Sequence, residues 1–384
     1  MSARDPEPGT VELSGLDGAS PLGFLAALGT LVTLHTAGER HARLRWKWSR
    51  VWTPGIDGAS ATETGRFSEI VACGLEGHDV PPEAEARRAA AEQCVGAAKK
   101  AVSDKRGEIR KRGLKGAARR AAIAAEVTPL QDAYQRARGA WHQALAAAVP
   151  RAELALGNRI DCTPEEYRQL TEALLAGAGP ADRDTLDLLA AFGTDARVNT
   201  RTRSIEPTPF QFITGSGHQF FLKTARDLLQ KVTVARVRST LFEPWTYSDE
   251  GLSMRWDPVE DRRYALMDRD PTRPGNEPRT VWMANLLGYR GLALFPYAPR
   301  RGRIRVVGWM DLDDGSVFTW PLWQHPASVD TIRSLLALPE LTMCQPDRVA
   351  LRARGVVGVF RARRIRVPPT GANYKLNFTP PRAV

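Results

Sequence analysis

The sequence predicts an α+β fold, in which a mixed α/β body carries an inserted helical bundle rich in alanine and arginine. Segments that alternate apolar and polar residues, the period of strands, occur towards both ends of the chain. Between them, apolar residues recur at helical spacing among alanine and charged residues. The chain has 384 residues, of which 43% are hydrophobic, enough for more than one compact unit.

These patterns divide the chain into an N-terminal α/β part (1–80), a helical insertion with a basic hairpin (81–195) and a C-terminal α/β body (196–384). In the first part, Ser20 followed by Pro21 predicts the start of a helix, because serine caps helices and proline suits their first position. Residues 42–48 then alternate, with Leu and Trp on one face and Arg and Lys on the other. This strand either has a solvated basic face or follows a phosphate backbone.

The helical insertion predicts two antiparallel helices that turn near Gly113 and Gly116. Two further helices are expected. One begins at the capping box of Thr163 and Glu166 with proline at its first position, and a short one ends near Phe192.

The hairpin of this insertion is strongly basic. Residues 99–120 contain ten lysines and arginines but only two acidic residues, Asp104 and Glu108, which gives this segment a net charge of +8. Exposed helices usually alternate positive and negative charges to gain i,i+4 ion pairs, so this excess of positive charge is unusual. Either the basic side chains bind phosphates, or the hairpin tip is flexible and solvated. The ten candidates for nucleic-acid contact are Lys99, Lys100, Lys105, Arg106, Arg110, Lys111, Arg112, Lys115, Arg119 and Arg120.

In the C-terminal body we expect a strand at Thr208–Ile213, a glycine turn at Gly215–Gly217 and a helix at His218–Val232. Backbone N–H groups at such a turn can bind phosphate, although a tight turn needs glycine for conformational reasons alone. Further strands are predicted at 303–307 and on both sides of a hairpin turn at Asp313–Gly315. Another strand is predicted at Gly355–Val367, and its arginines are expected to face outward. Ser328 is expected to cap a helix. The candidates on this surface are Asn199, Arg201, Arg203, Ser216, Gly217, His218 and Gln219.

Residues 255–305 combine arginines, aspartates and aromatic residues. Arginine can form bidentate contacts with phosphate or guanine, and the interleaved tryptophans either fill the core or stack on bases. The candidates here are Arg262, Arg263, Arg300, Arg301, Arg303 and Arg305.

The sequence offers little for catalysis. Asp257, Glu260 and Asp261, with a second set at Asp311–Asp314, could supply carboxylates to a metal-dependent nuclease, but turn chemistry explains both groups better. The six histidines are dispersed, and a P-loop motif is absent from the sequence. We expect a protein without enzymatic activity, cofactor or metal.

The charge and cysteine content indicate the partner and the compartment. The net charge is +11 and the pI about 9.8, which favours a polyanionic partner. Four dispersed cysteines suggest neither a zinc site nor a disulfide framework and fit a reducing cytoplasm. The apolar run at 22–34 is too short and interrupted for a membrane span, so we expect a cytoplasmic protein with no membrane partner.

Three segments together resemble a known family: LSGLDGASPLGFLAALGTL (13–31), WDPVEDRRYAL (256–266) and ANLLGYRGLALFPYAP (284–299). They are similar to large-subunit-type proteins of type I CRISPR effector complexes, in particular the I-U or I-G branch. The resemblance implies a non-catalytic subunit of a crRNA-guided surveillance complex, Cascade, in prokaryotic antiviral defence.

The partners that this resemblance implies are crRNA, bound at its 5′ end, target double-stranded DNA, other Cascade subunits and a recruited helicase-nuclease. The subunit would recognise a protospacer-adjacent motif and open the duplex, whereas base pairing would read the target sequence. Besides the nuclease, a purely structural subunit that grips crRNA or a neighbouring protein is the alternative.

Overall fold

The computed structural model describes residues 9–177, 179, 182–200, 202–213, 219–260, 279–300, 303–312, 315–367 and 375–384, and only the backbone of 298–300, 303 and 304. Within these ranges helices combine with several antiparallel sheets, which confirms the predicted α+β fold. In the described part of the chain, every helix is too short or too polar to cross a membrane.

The chain forms two compact units. One comprises Met1–Gly77 and Asn158–Val384, and the other comprises His78–Gly157. The division differs from the three predicted segments in two respects. The N-terminal part and the C-terminal body belong to one unit, and the helices between residues 164 and 192 group with them rather than with the basic hairpin.

The first unit contains nine of the described α-helices. They are α1 (Pro21–Thr36), α2 (Thr64–Leu75), α6 (Pro164–Gly177), α7 (Arg183–Phe192), α8 (Phe221–Leu229), α9 (Val234–Phe242), α10 (Trp282–Gly291), α11 (Val329–Leu336) and α12 (Arg348–Ala353). The second unit contributes α3 (Pro82–Lys111), α4 (Gly116–Ala122) and α5 (Thr128–Ala146). The predicted caps are confirmed: the Ser20 hydroxyl accepts the N–H of Gly23, and Ser328 accepts that of Thr331. The Thr163–Glu166 capping box also forms, with both reciprocal hydrogen bonds.

All described strands belong to the first unit and pair antiparallel. They are β1 (Thr10–Glu12), β2 (Arg43–Trp48), β3 (Trp52–Asp57), β4 (Asp249–Glu250), β5 (Arg279–Thr280), β6 (Tyr297–Arg300), β7 (Arg303–Val306), β8 (Trp309–Leu312), β9 (Gly315–Trp323), β10 (Val356–Val367), β11 (Lys375–Phe378) and β12 (Arg382–Ala383). One sheet has the order β1-β3-β2 and a second the order β11-β10-β9-β8, with β12 also on β10. Two-stranded ribbons pair β4 with β5 and β6 with β7.

Helices α1 and α10 cross at the centre of the first unit with their backbones in contact. A Cβ atom at Gly29 would overlap the carbonyl of Leu287, and one at Gly291 would overlap the carbonyl of Leu25. Both glycines therefore permit an approach that a side chain would prevent. Aromatic side chains fill the adjoining core, where Phe24 stacks on Trp46 at a centroid distance of 5.8 Å.

The second unit contains the predicted helical hairpin. Helix α3 (Pro82–Lys111) is followed by α4 (Gly116–Ala122), a π-helical turn (Ile123–Val127) and α5 (Thr128–Ala146). Gly113 and Gly116 adopt φ values of 66° and 57°, left-handed conformations that glycine adopts without strain. The prediction of a turn at these two glycines is confirmed.

Several local predictions are wrong. Residues 208–213 form a turn and irregular backbone rather than a strand, because Pro207 and Pro209 lack the N–H donors of a sheet ladder. The helix expected at His218–Val232 spans Phe221–Leu229, since α9 begins shortly after it with its own cap at Thr233. Trp48, expected on the buried face of its strand, is 60% exposed because it lies at the tip of the β2–β3 hairpin.

The arginines expected to face outward from β10 are also engaged. Arg361 donates to the Thr319 hydroxyl and to the carbonyls of residues 343 and 344 at 2.9–3.0 Å. Arg364 lies over the Trp309 ring and donates to the carbonyl of Pro209 at 3.2 Å. Both side chains therefore hold loops against the sheet.

Candidate nucleic-acid interface

The basic hairpin lies entirely within the described part of the chain. Nine of its ten predicted contact residues are exposed, and Lys105 is half-buried. The helical repeat explains this exposure, because residues at positions such as Val102 and Ile109 occupy the side of α3 that packs on α5. Lys99 and Arg110 lie three helical turns apart and so share one side of α3, separated by about 16 Å along the axis.

Three of the ten basic side chains have partners inside the hairpin. Lys105 forms an ion pair with Glu108 at 2.6 Å, and Arg106 donates to the Gln131 amide oxygen at 2.9 Å. Arg112 reaches Glu126 with two hydrogen bonds of 2.5 and 2.8 Å. The hydrogen bonds from Arg112 lower the pKa of the Glu126 carboxyl, and the hydrogen bond from Lys105 lowers that of Glu108, so both acids are ionised at neutral pH.

The other seven basic side chains are exposed and form no ion pair with any residue that the structure describes. They are Lys99, Lys100, Arg110, Lys111, Lys115, Arg119 and Arg120. Four of the seven cluster at the tip between Lys111 and Arg120, where the chain turns and the side chains project from three consecutive segments. The hairpin thus presents a cationic surface that its own acids leave unneutralised.

Asn199 is joined by hydrogen bonds to the described residues 202–204, which precede the predicted glycine turn. The N–H of Asn199 donates to the carbonyl of Ser204, and its side-chain oxygen accepts the N–H of Thr202 at 3.1 Å. Arg203 adopts a φ of 59°. Asn199 therefore has a structural role, while Arg203 is exposed.

The remaining candidates are described in part. Gln219 is half-buried just before α8, Arg305 is exposed on β7, and the backbones of Arg300 and Arg303 pair across the β6–β7 ribbon. The carboxylates Asp261, Asp313 and Asp314 lie outside the described residues. So do the other predicted contact residues, which are Arg201, Ser216, Gly217, His218, Arg262, Arg263 and Arg301.

The acidic residues Asp257 and Glu260 are buried and hydrogen-bonded to hydroxyl groups. Tyr247 donates to Asp257 at 2.7 Å, whereas Glu260 accepts from both Ser253 and Thr280. Burial, reinforced by the charge of Asp257, raises the pKa of Glu260 to about 8, and burial also raises the pKa of Asp257. Among the residues that the structure describes, no cluster of three or more His, Cys, Asp or Glu could hold a metal ion.

Asp257 also caps the helical segment that begins at residue 258, because its side chain accepts the N–H of Val259 at 2.9 Å. The prediction that this carboxylate serves turn chemistry is thereby confirmed. Because both carboxyl oxygens of the buried Glu260 accept hydrogen bonds from hydroxyl groups, this side chain is suited to fixing the surrounding backbone, not to binding a cation.

Arg290 belongs in sequence to the arginine-rich stretch 255–305, but its side chain is fully buried. The guanidinium forms an ion pair with Asp184 of α7 and donates to the Thr36 hydroxyl at 3.2 Å. Arg290 therefore joins α10 to α7 and α1 and is inaccessible to a ligand.

Sequence reasoning misses a cavity of about 310 Å³ along one side of α9, lined in part by Arg236, Trp245, Tyr247 and Thr280. Trp245 carries a weak signal, since this tryptophan lies shortly before the segment 255–305 in which aromatic residues interleave with arginines. The other lining residues carry none, because they come from separate segments and have unremarkable types.

Comparison with models of known protein families gave no match, and neither did comparison with curated protein sequences.

Proposed function

We propose that the chain is a non-catalytic nucleic-acid-binding subunit of a crRNA-guided type I CRISPR surveillance complex. The observation that carries this proposal is the group of seven exposed basic side chains on the helical hairpin that pair with no acid in the described part of the chain. The three sequence segments that resemble large-subunit-type proteins supply the class of complex.

The electrostatics of the hairpin favour a polyanion. Like charges clustered at the tip repel one another, and the ion pairs that Glu108 and Glu126 form within the described hairpin engage Lys105 and Arg112, which are not among the seven. Phosphates from nucleic acid would relieve this repulsion, and the release of their condensed counterions would drive binding. Contacts of this kind position a protein on a backbone without reading its sequence.

In this role the subunit contacts crRNA and target duplex DNA, next to other Cascade subunits, and supports recognition of a protospacer-adjacent motif and recruitment of a helicase-nuclease. Base pairing with the guide carries the sequence specificity, so the protein needs backbone contacts and a short motif reader. The buried, hydroxyl-bonded Asp257 and Glu260 argue against the nuclease alternative, because neither carboxylate is available to a metal.

The proposal is tested by neutralising three unpaired residues of the tip, in the variant Lys111→Gln, Lys115→Gln, Arg119→Gln. Duplex binding by the full chain should weaken, and the slope of log K against log salt should fall in magnitude by roughly 0.9 for each phosphate that the variant no longer binds. The matched control removes three exposed arginines of the other unit that also lack described ion pairs, in the variant Arg348→Gln, Arg352→Gln, Arg382→Gln.

Equal effects of both variants would show that only the total charge matters and would contradict a hairpin interface. The assembly alternative makes a different prediction for the same tip variant. If the hairpin grips crRNA or a neighbouring subunit, the complex itself should fail to form, whereas the proposed role leaves assembly intact and lowers target affinity.

A further inference from the structure

The cavity of about 310 Å³ lies within the first unit, between one side of α9, the segment 243–249 and the residues 280–283 at the start of α10. Its walls combine aromatic rings, hydroxyl groups and one arginine, the composition of a small-ligand site rather than of a packing defect. The volume is at the lower end of that of ligand pockets, which suits a ligand the size of one nucleotide.

One wall is aromatic and fixed in place. The rings of Trp245 and Tyr247 meet edge to face at a centroid distance of 6.2 Å. The indole N–H of Trp245 donates to the carbonyl of Thr240 at 3.0 Å, and the Tyr247 hydroxyl donates to the buried Asp257 at 2.7 Å. Both rings are therefore held by hydrogen bonds before any ligand arrives.

The back of the cavity rests on the buried carboxyl groups. Thr280 and Tyr247 both line the cavity. The Thr280 hydroxyl donates a hydrogen bond to Glu260, and the Tyr247 hydroxyl donates one to Asp257. The backbone beside the wall is strained, since Tyr247, Leu252 and Arg255 adopt φ values of 53°, 54° and 63° without being glycine. Such conformations persist only where surrounding contacts enforce them, and they concentrate at ligand sites.

The rim carries a positioned cation. The guanidinium of Arg236 lies over the Trp282 ring at 4.8 Å from its centroid and donates to the carbonyl of Lys231 at 3.0 Å. In the part of the chain that the structure describes, Arg236 has no carboxylate partner. Of the two acids that line the cavity, Asp249 accepts the backbone N–H of Trp282 at 2.8 Å, and Glu243 is exposed at the rim.

We propose that this cavity binds a single nucleotide, with its base against Trp245 and Tyr247 and its phosphate at Arg236. Aromatic side chains stack on any base, and a fixed guanidinium matches a phosphate. The Glu243 carboxylate can accept a hydrogen bond from an exocyclic amine, so bases that carry one bind better than thymine or uracil. The inference rests on the proposed function and adds to it a second site, in the first unit, which holds an unpaired nucleotide.

The test uses the full chain and a single-stranded oligothymidylate that contains one 2-aminopurine, whose fluorescence falls when it stacks on an aromatic ring. We expect saturable quenching with the natural chain and roughly tenfold weaker binding with Arg236→Gln, because the variant cannot form the charge-assisted hydrogen bond to phosphate. The matched control is Arg238→Gln, an exposed arginine of the same helix that does not line the cavity. Arg238→Gln should bind as the natural chain does.

A second pair of variants separates stacking from general packing. Trp245→Phe keeps an aromatic face and should retain most of the quenching, whereas Trp245→Leu should abolish it. Adenosine monophosphate as competitor distinguishes the two sources of the ligand: displacement at low concentration indicates a free nucleotide, and displacement only by an oligonucleotide indicates a base within a strand.

Two results would overturn the inference: binding of the oligonucleotide without quenching, or equal effects of Arg236→Gln and Arg238→Gln. Duplex binding is measured on the same samples, so that a failure of the cavity inference can be told apart from a failure of the proposed function. Absence of quenching with intact, salt-sensitive duplex binding would refute the cavity alone, whereas failure to bind either nucleic acid would refute both.

Discussion

Arg112 and Glu126 join the two sides of the basic hairpin through a bidentate ion pair with distances of 2.5 and 2.8 Å. The pair links the end of α3 to the π-helical turn that precedes α5, and it removes one arginine from the exposed basic group. The hairpin therefore distinguishes arginines used for its own structure from those that remain available to a partner.

Replacing Glu126 by Gln should tighten duplex binding, because the substitution frees Arg112 and raises the local positive charge. We expect the salt slope to steepen by up to roughly 0.9, the equivalent of one additional bound phosphate. Stability should change little, because an exposed ion pair is screened by solvent. Glu69→Gln, which frees Arg66 from an exposed pair in the other unit, is the control and should leave duplex binding unchanged. Weaker binding by the Glu126 variant would contradict the assignment.

The crossing of α1 and α10 predicts a strong effect of Gly29→Ala. The new methyl group would overlap the Leu287 carbonyl, and separating two packed helices should cost roughly 1–3 kcal/mol or more. A thermal melt of the purified chain measures this destabilisation. The control Gly96→Ala adds a methyl group to α3 where the surroundings are open, and it should stabilise by up to about 1 kcal/mol. Equal melting temperatures for the natural chain and Gly29→Ala would refute the close crossing.

The buried ion pair between Arg290 and Asp184 predicts that Asp184→Ala is destabilising by roughly 3–5 kcal/mol, because a buried guanidinium loses its counter-charge. Asp330→Ala is a matched control, since Asp330 is 88% exposed in its pair with Arg333. That substitution should change the stability by less than about 1 kcal/mol. Chemical denaturation of the two variants measures the difference, and similar midpoints would contradict the structural role of Arg290.

The raised pKa of the buried Glu260 predicts that the free energy of unfolding decreases as pH rises. Its pKa in the folded protein is raised to about 8, above the ordinary value of 4.5, so the folded state binds the extra proton. The cost of ionising the buried carboxyl is absent below about pH 4.5, grows between these two values and is complete above about pH 8. In Glu260→Gln the downward slope of melting temperature across this window should be smaller. A slope identical to that of the natural chain would show that Glu260 does not titrate there.

Local sequence signals predict the helices best. Ser20, Ser328 and Thr163 each cap the helix that the sequence assigns to them, because a cap depends on a hydroxyl and an N–H only two or three residues away. The basic hairpin is predictable for the same reason, since its helices, its glycine turn and its charges are contiguous in sequence.

Features that depend on distant partners are not predictable in this way. Alternation along β10 predicts that Arg361 and Arg364 face outward, but loops from other parts of the chain reach them. Phe210 is buried in the core although its backbone is irregular. The apolar residues around it therefore give the same sequence pattern as a buried strand. The cavity near Arg236 combines segments about 40 residues apart in sequence with left-handed backbone at Tyr247, which no residue type announces.

The salt dependence of duplex binding by the unmodified chain tests the central claim most directly. Equilibrium binding to a labelled duplex should be measured from ~50 to ~500 mM monovalent salt, in parallel with a duplex of unrelated sequence. A surface of seven available basic side chains predicts a steep linear fall of log K with log salt, on the order of a thousandfold or more across this range. Equal affinity at both ends of the range would contradict an electrostatic nucleic-acid interface on the hairpin.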